Sequence, residues 1–162
     1  MAHLTARDIM RSKIFTADPN WTIDKLSRFL EEKSITGAPV VDTEGKPIGV
    51  VSVTDIAREH SIAKDSGHGR EPHDFYSTSD NLPNWGEVVN TLRVEPEDKI
   101  LVKDIMTPMV FDVTEETRVN KIAETMIRGR IHRVFVTKDK KLTGIITALD
   151  MLNLIKDVTE NE

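Results

Sequence analysis

Two residue sets in this chain have the types and spacing to do chemistry. One is Ser52-Val53-Thr54-Asp55 and the other is Thr147-Ala148-Leu149-Asp150. Each places a hydroxyl three residues before a carboxylate, after an apolar run that opens on glycine: "GVVSVTDI" from Gly49 and "GIITALDM" from Gly144. Two chemistries fit. The first is helix capping: the hydroxyl accepts from an N–H of the first turn and the acid reaches back. Capping boxes prefer Glu or Gln at that place, yet both copies use Asp. The second is ligand binding. A strand that ends in a helix N-terminus presents outward N–H groups and a positive dipole end, which suit an anion. A hydroxyl there can donate to a phosphate. A carboxylate one turn in can accept from a vicinal diol, as acids hold ribose in other folds. Phosphate, ribose and an apolar slot would describe a nucleoside phosphate.

The phrase recurs because the chain is an internal repeat. "ARDIM" (Ala6 to Met10) returns as "VKDIM" (Val102 to Met106), an offset of 96 positions. The same offset pairs Phe15 with Phe111, Ile23 with Val119, Leu26 with Ile122, Leu30 with Met126, Ile35 with Ile131 and Val40 with Val136. It falls to 95 at the two glycines. The slip lies in a turn, "DTEGKP" from Asp42 in the first copy and the tighter "KDKK" from Lys138 in the second. Turns tolerate length changes.

These elements must position the two sets. A short extended segment (around 14–16 and 110–112) leads into a helix in each copy. The first helix carries Ile23, Leu26 and Leu30. The second carries Val119, Ile122, Ala123, Met126 and Ile127, the stripe of an amphipathic helix with one buried face. β-branched runs follow at "PVV" and "VFV", then a polar turn, then "IGVVSV" and "LTGIIT", and a last helix opens after the hydroxyl. The order is β-α-β-β-α, twice. Each unit is too small to bury much alone, so the copies should pack together. The predicted organisation is a first repeat at 1–60, an insertion at 61–99 and a second repeat at 100–162.

Within the insertion, Lys64 to Asp80 reads as a mobile loop rich in Gly, Ser, His and charge. Trp85, Val88, Val89 and Leu92 read as a short helix that Pro96 ends. His68 and His73, with Glu71 and Asp74, read as exposed loop residues rather than a metal set. Thr5 and Asp8 read as cap residues of an early helix, and Trp21 as a staple onto the core.

Bulk composition narrows the function classes. The chain has 162 residues, 38% hydrophobic and 30% charged, as in ordinary globular proteins. A net charge of −5 gives no general attraction for nucleic acid or acidic membranes. There is no cysteine, which excludes disulfides, thiolate metal sites and a cysteine nucleophile. No apolar run approaches the roughly 20 residues of a membrane helix. The opening residues lack a signal-peptide core. The expected location is the cytoplasm. No serine–histidine–acid set or P-loop occurs, so an enzyme is not expected.

The duplicated unit, with "DIMTP" (Asp104 to Pro108), "ITGAPVVD" (Ile35 to Asp42) and "GVVSVTD", resembles a tandem CBS domain pair, the Bateman module. The resemblance covers about residues 4–60 and 100–157. It implies an α/β (α+β) fold, two CBS repeats packed with pseudo-twofold symmetry, and a homodimer. It also implies a regulatory module that binds AMP, ADP, ATP or S-adenosylmethionine in clefts between the repeats, with no cofactor required. The output would act in trans on a protein partner.

Carried over residue by residue, one implied site is Ser52 and Asp55 with Ile14, Thr16, Ala38 and Pro39 as its wall. The other is Thr147 and Asp150 with Val110, Asp112, Val134 and Phe135. Phe135 could stack on a base or fill the slot. Asp112 could discourage a phosphate or accept from an adenine amino group. His132 and Arg133 resemble a His-Arg pair that reaches phosphates in some relatives, while Arg128 and Arg130 read as cations at a helix end. The competing reading is a ligand-free dimerisation scaffold in which the two sets are caps only.

Overall fold

The structure of the chain, a computed structural model, describes residues 4–60, 76 and 100–159. The predicted helix of Trp85 to Leu92 and the histidines at 68 and 73 lie outside them. The elements in order are α1 (Ala6–Ile9), α2 (Ile23–Lys33), β1 (Gly37–Val41), β2 (Pro47–Ser52), α3 (Val53–His60), α4 (Val102–Ile105), β3 (Asp112–Thr114), α5 (Val119–Gly129), β4 (Arg133–Lys138), β5 (Lys141–Thr147) and α6 (Ala148–Thr159). This is the mixed α/β arrangement expected from the repeat.

The chain forms two compact units. Unit one is Met1–Ile14 with Val110–Glu162, and unit two is Phe15–Met109. Each unit therefore takes its leading helix from the other sequence copy. In unit two the chain before α4 runs beside the start of α2. Ile23 N–H donates to Ile100 O at 3.3 Å, Val102 N–H to Trp21 O at 2.9 Å and Lys103 N–H to Pro19 O at 2.9 Å. Unit one repeats these bonds residue for residue. Val119 N–H donates to Leu4 O at 3.0 Å, Ala6 N–H to Thr117 O at 2.8 Å and Arg7 N–H to Glu115 O at 3.0 Å.

In unit two β1 and β2 form an antiparallel pair. Ala17 adds one parallel bridge to Val40, where the sequence suggested a strand slightly earlier. Helix α2 is capped by Thr22, whose hydroxyl accepts from Lys25 N–H at 3.3 Å, and it buries Ile23, Leu26 and Leu30. These pack with Ala38, Val40, Val51, Ile56, Val102 and Ile105 as one core. Trp21 packs on that core and meets Phe29 edge-on at 5.0 Å, as the staple reading anticipated. Tyr76 is fully buried and its hydroxyl donates to Met109 O at 3.0 Å. One residue of the stretch read as a polar loop is thus an apolar anchor.

In unit one β3 runs parallel to β4, and β4 antiparallel to β5. β3 covers Asp112–Thr114, two residues later than the sequence suggested. The β4–β5 turn has Asp139 and Lys140 at φ 50° and 66°, the two-residue hairpin geometry of the predicted tight turn. Both sheets bulge at the same repeat position, Val40/Val41 and Val136/Thr137. Helix α5 buries Ile122 and Met126, but Ile127, expected on that face, is 76% exposed. None of the described helices is long and apolar enough to cross a membrane.

Candidate functional site

Both hydroxyl–x–x–aspartate sets sit where a strand gives way to a helix. Ser52 ends β2 and Asp55 lies in the first turn of α3. Asp55 Oδ2 accepts from Ser52 N–H at 2.8 Å and from its hydroxyl at 3.1 Å. Both residues are buried. In unit one, Thr147 ends β5 and Asp150 lies in the first turn of α6. Asp150 Oδ2 accepts from Thr147 N–H at 2.8 Å and its hydroxyl at 2.7 Å, and Asp150 N–H donates to Thr147 Oγ1 at 3.4 Å. The acid reaches back in both copies, and at Thr147 the hydroxyl also accepts a first-turn N–H. Each carboxylate sits at the positive end of its helix, a favourable place for an anion. A main-chain bond fixes each junction from behind: Val53 N–H to Thr36 O at 3.0 Å, and Ala148 N–H to His132 O at 2.8 Å.

The expected wall residues divide by unit. Thr16, Ala38 and Pro39 share unit two with Ser52 and Asp55, whereas Ile14 falls in unit one. Ala38 and Pro39 are buried in β1, where Gly37 faces Ser52 and Ala38 faces Val51. Small side chains thus lie one strand away from the Ser52 hydroxyl. Thr16 is half-buried and precedes Ala17, whose N–H donates to Pro39 O at 2.9 Å.

Val110, Asp112, His132, Arg133, Val134 and Phe135 share unit one with Thr147 and Asp150. Arg133 pairs with Thr147 across the β4–β5 ladder, and Asp112 with Phe135 across β3–β4. His132 is exposed and Arg133 half-buried. Val134 and Phe135 are fully buried. Asp112 Oδ2 accepts from the Thr137 hydroxyl at 2.8 Å, so the chain itself supplies one donor to that carboxylate. Arg128 pairs with Glu124 one turn back at 2.5 Å, the solvated role expected of it.

Sequence reasoning missed the residues that close each junction from the exchanged segment. Arg11 and Ile145 bond reciprocally through the main chain at 2.9 and 3.0 Å, and Thr107 and Val50 do the same at 2.9 Å each. The glycines of the repeated phrase make room for this. A Cβ on Gly49 would lie 2.7 Å from Thr107 O, and one on Gly144 would lie 2.5 Å from Met10 Sδ. The methionine of each "DIM" therefore packs at the glycine of the other copy. Glycine followed 95 positions later by glycine, beside a repeated methionine, was the available signal. Arg11 continues to Asp150: Nε donates to Oδ1 at 2.9 Å and Nη2 lies 2.8 Å from the same oxygen.

A second charged group lies on the same segment. Arg7 Nη2 is 2.7 Å from both Glu115 Oε2 and Glu116 Oε1. The Arg7 hydrogen bond, helped by Thr143, holds the Glu115 carboxyl below the ordinary glutamate range. Asp8 is held low by the N–H and hydroxyl of Thr5, which cap α1 as expected. Among the described residues, no cluster of three or more His, Asp or Glu could hold a metal ion.

Comparison with known proteins places these features in a family context. The family model of the CBS domain matches residues 6–61 and 102–157. The chloroplast CBS domain-containing protein CBSX1 of Arabidopsis thaliana is 33% identical over 146 residues, covering 88% of this chain and 60% of that protein. CBSX2 of the same plant is 30% identical over 165 residues, covering 97% of this chain and 67% of that protein. The chain thus spans about two thirds or less of these two relatives. A crystal structure of CBSX2 in complex with AMP superposes with a TM-score of 0.64 at 23% identity, covering 96% of this chain and 98% of that one. The CBS domain pair of MJ0100, in complex with 5′-methylthioadenosine and S-adenosyl-L-methionine, gives 0.62 at 23% identity, covering 95% and 97%.

Proposed function

The chain belongs to the CBS domain family, and on that premise we propose that it is a non-enzymatic regulatory module for an adenosine-bearing ligand. The observation that carries this is the duplicated strand-to-helix junction, with a carboxylate held in place at each helix start. Ser52 and Thr147 would cap the phosphate end, and Asp55 and Asp150 would accept from the ribose diol. Thr16, Ala38 and Pro39 would line the slot of the first site. Val110, Asp112, Val134 and Phe135 would line the second, with His132 and Arg133 toward the phosphate. AMP in CBSX2, and methylthioadenosine with S-adenosylmethionine in MJ0100, support the ligand class. The signal passes in trans to a protein partner. A ligand shifts the chain only by its differential affinity for two states.

Adenine nucleotides should raise the melting temperature. At about 100 times its dissociation constant a ligand adds roughly 2.7 kcal/mol, a shift of about 5–10 °C for a chain of this size. Asp55→Asn should weaken binding about ten- to a hundred-fold. Asp150→Asn should weaken it less, because the first junction has the smaller wall. If AMP, ADP, ATP and S-adenosylmethionine all leave the melt unchanged, the junctions are caps only.

A homodimer belongs to the same proposal. Ile127, Leu149, Leu152 and Ile155 are 57–76% exposed. They flank a groove of about 520 Å³ between α5 and α6, floored by Ala123, Met126 and Met151. The face offers both a ridge and a groove, so a second copy of the same face can cover it. Light scattering at micromolar protein should give a dimer mass, and Leu152→Glu should halve it. A wild-type monomer at every concentration sinks the dimer.

A further inference from the structure

The two junctions share their main-chain bonds, and among their differing side chains one is charged at the bridging position. Arg11 and Thr107 occupy the same bridging position against β5 and β2. Thr107 is uncharged. Arg11 brings a cation to Asp150, and the consequence lies in the donor count. Asp150 Oδ2 already takes the Thr147 N–H and hydroxyl. Oδ1 faces both Nε and Nη2 of Arg11. A carboxylate offers about four lone-pair sites; three accept hydrogen bonds and the Arg11 Nη2 ion-pair contact crowds the fourth. A ribose diol needs two. It has no place on Asp150 while Arg11 stays.

We infer that Arg11 sets the specificity of the Thr147–Asp150 junction: it competes with ribose for Asp150, and once displaced it pairs with an anionic 5′ group, so this junction selects nucleotides over uncharged adenosine compounds. The inference rests on the ligand-binding reading above and sharpens it. The Asp150 side chain is only 10% exposed, whereas that of Arg11 is 58% exposed. Moving the guanidinium away parts a charge pair, and every ligand bears that cost. A phosphate returns a partner to the guanidinium, whose planar fork suits phosphate oxygens and whose stem is long enough to swing. An uncharged 5′ group returns nothing.

The test is calorimetric titration of AMP and of adenosine into Asp55→Asn, so that the Thr147–Asp150 junction is read alone. With Arg11 present, AMP should bind at least about tenfold tighter than adenosine. Arg11→Thr, which installs the residue of the other copy, should collapse that ratio by weakening AMP and strengthening adenosine. Arg11→Lys keeps the charge without the fork and should hold an intermediate ratio. An unchanged ratio in Arg11→Thr, with AMP still bound, overturns the role of Arg11 and leaves the ligand-binding reading standing. An Asp55→Asn chain that binds neither compound, with or without Arg11→Thr, shows that this junction takes no ligand and overturns it too. If the wild-type chain, with a normal melt, binds neither, the ligand-binding reading itself falls.

Discussion

Unit two and unit one use one set of main-chain bonds to hold different side chains. The bonds that seat the exchanged helices match residue for residue, as do the bridges at Val50–Thr107 and Ile145–Arg11. Around them, Ala38 and Pro39 of unit two correspond to the fully buried Val134 and Phe135 of unit one. Thr16 corresponds to Asp112, Pro19 to Glu115, Lys103 to Arg7 and Thr107 to Arg11. A main-chain bond asks nothing of a residue except an N–H and a carbonyl. The scaffold can therefore stay fixed while the lining diverges. Two junctions built alike need not accept the same ligand.

The strongest way to test the divergence is Phe135→Ala. A fully buried aromatic in the central strand should cost about 3–5 kcal/mol, read by urea unfolding. Pro39→Ala in unit two removes far less volume and should cost less. A loss below about 1 kcal/mol for Phe135→Ala would mean that unit one does not depend on this buried ring, and the contrast would fail.

The glycines probe the shared part. Gly49→Ala places a methyl against a main-chain carbonyl, Thr107 O, at 2.7 Å. Gly144→Ala meets only the Met10 side chain, although its Cβ is as close as 2.9 Å. Overpacking of this kind costs about 1–3 kcal/mol, with Gly49→Ala at the upper end. Met10→Ala should relieve Gly144→Ala in a double-mutant cycle, while Met106→Ala should do little for Gly49→Ala. Equal rescue in the two units would show that a side chain, not the carbonyl, is the obstacle in both.

The smallest effect concerns acid. Glu115 is held low by Arg7, and unit two has Pro19 and Lys103 in those places. A depressed carboxyl stabilises the fold above its unfolded value and stops doing so as pH falls. The melting temperature should decline below the ordinary glutamate value of 4.5, and Glu115→Gln should flatten part of that decline. Because Arg7 is half-exposed, salt should shrink the difference. Identical acid profiles for the variant and the wild-type chain would remove Glu115 from the contrast.

Much of this architecture was legible in the residues. The stripe of Ile23, Leu26 and Leu30, the polar turn at Asp42 and the positive-φ pair at Asp139 and Lys140 follow from local rules, because each is decided within a few residues. The cap geometry of Ser52 and Thr147 was legible for the same reason. The exchange of leading helices was not. It is made by main-chain bonds between residues far apart in sequence, which leave no periodic trace. Ile127 shows a related limit: a helical stripe says that a face is apolar, not what covers it. Tyr76 lies in a stretch dominated by polar and turn-forming residues, which masked it as an anchor. Nothing near Arg11 in the sequence marked its role, because its partner Asp150 is 139 positions away.

The exchange also sets an order of assembly. Unit two is continuous in sequence, while unit one joins residues 1–14 to residues 110–162. Synthesis proceeds from the N-terminus at about 5–20 residues per second. All of unit two has therefore been made before β5 exists. The segment holding Arg7, Met10 and Arg11 waits several seconds for the strand it must join. Closing so long a loop adds only slowly to the entropic cost, so the delay comes from translation rather than from the search. Until that segment arrives, one edge of β5 lacks its bridge to Arg11, and an open strand edge invites pairing with another chain. The segment made before unit two is built in after it, and it shields the strand that leads to the second junction.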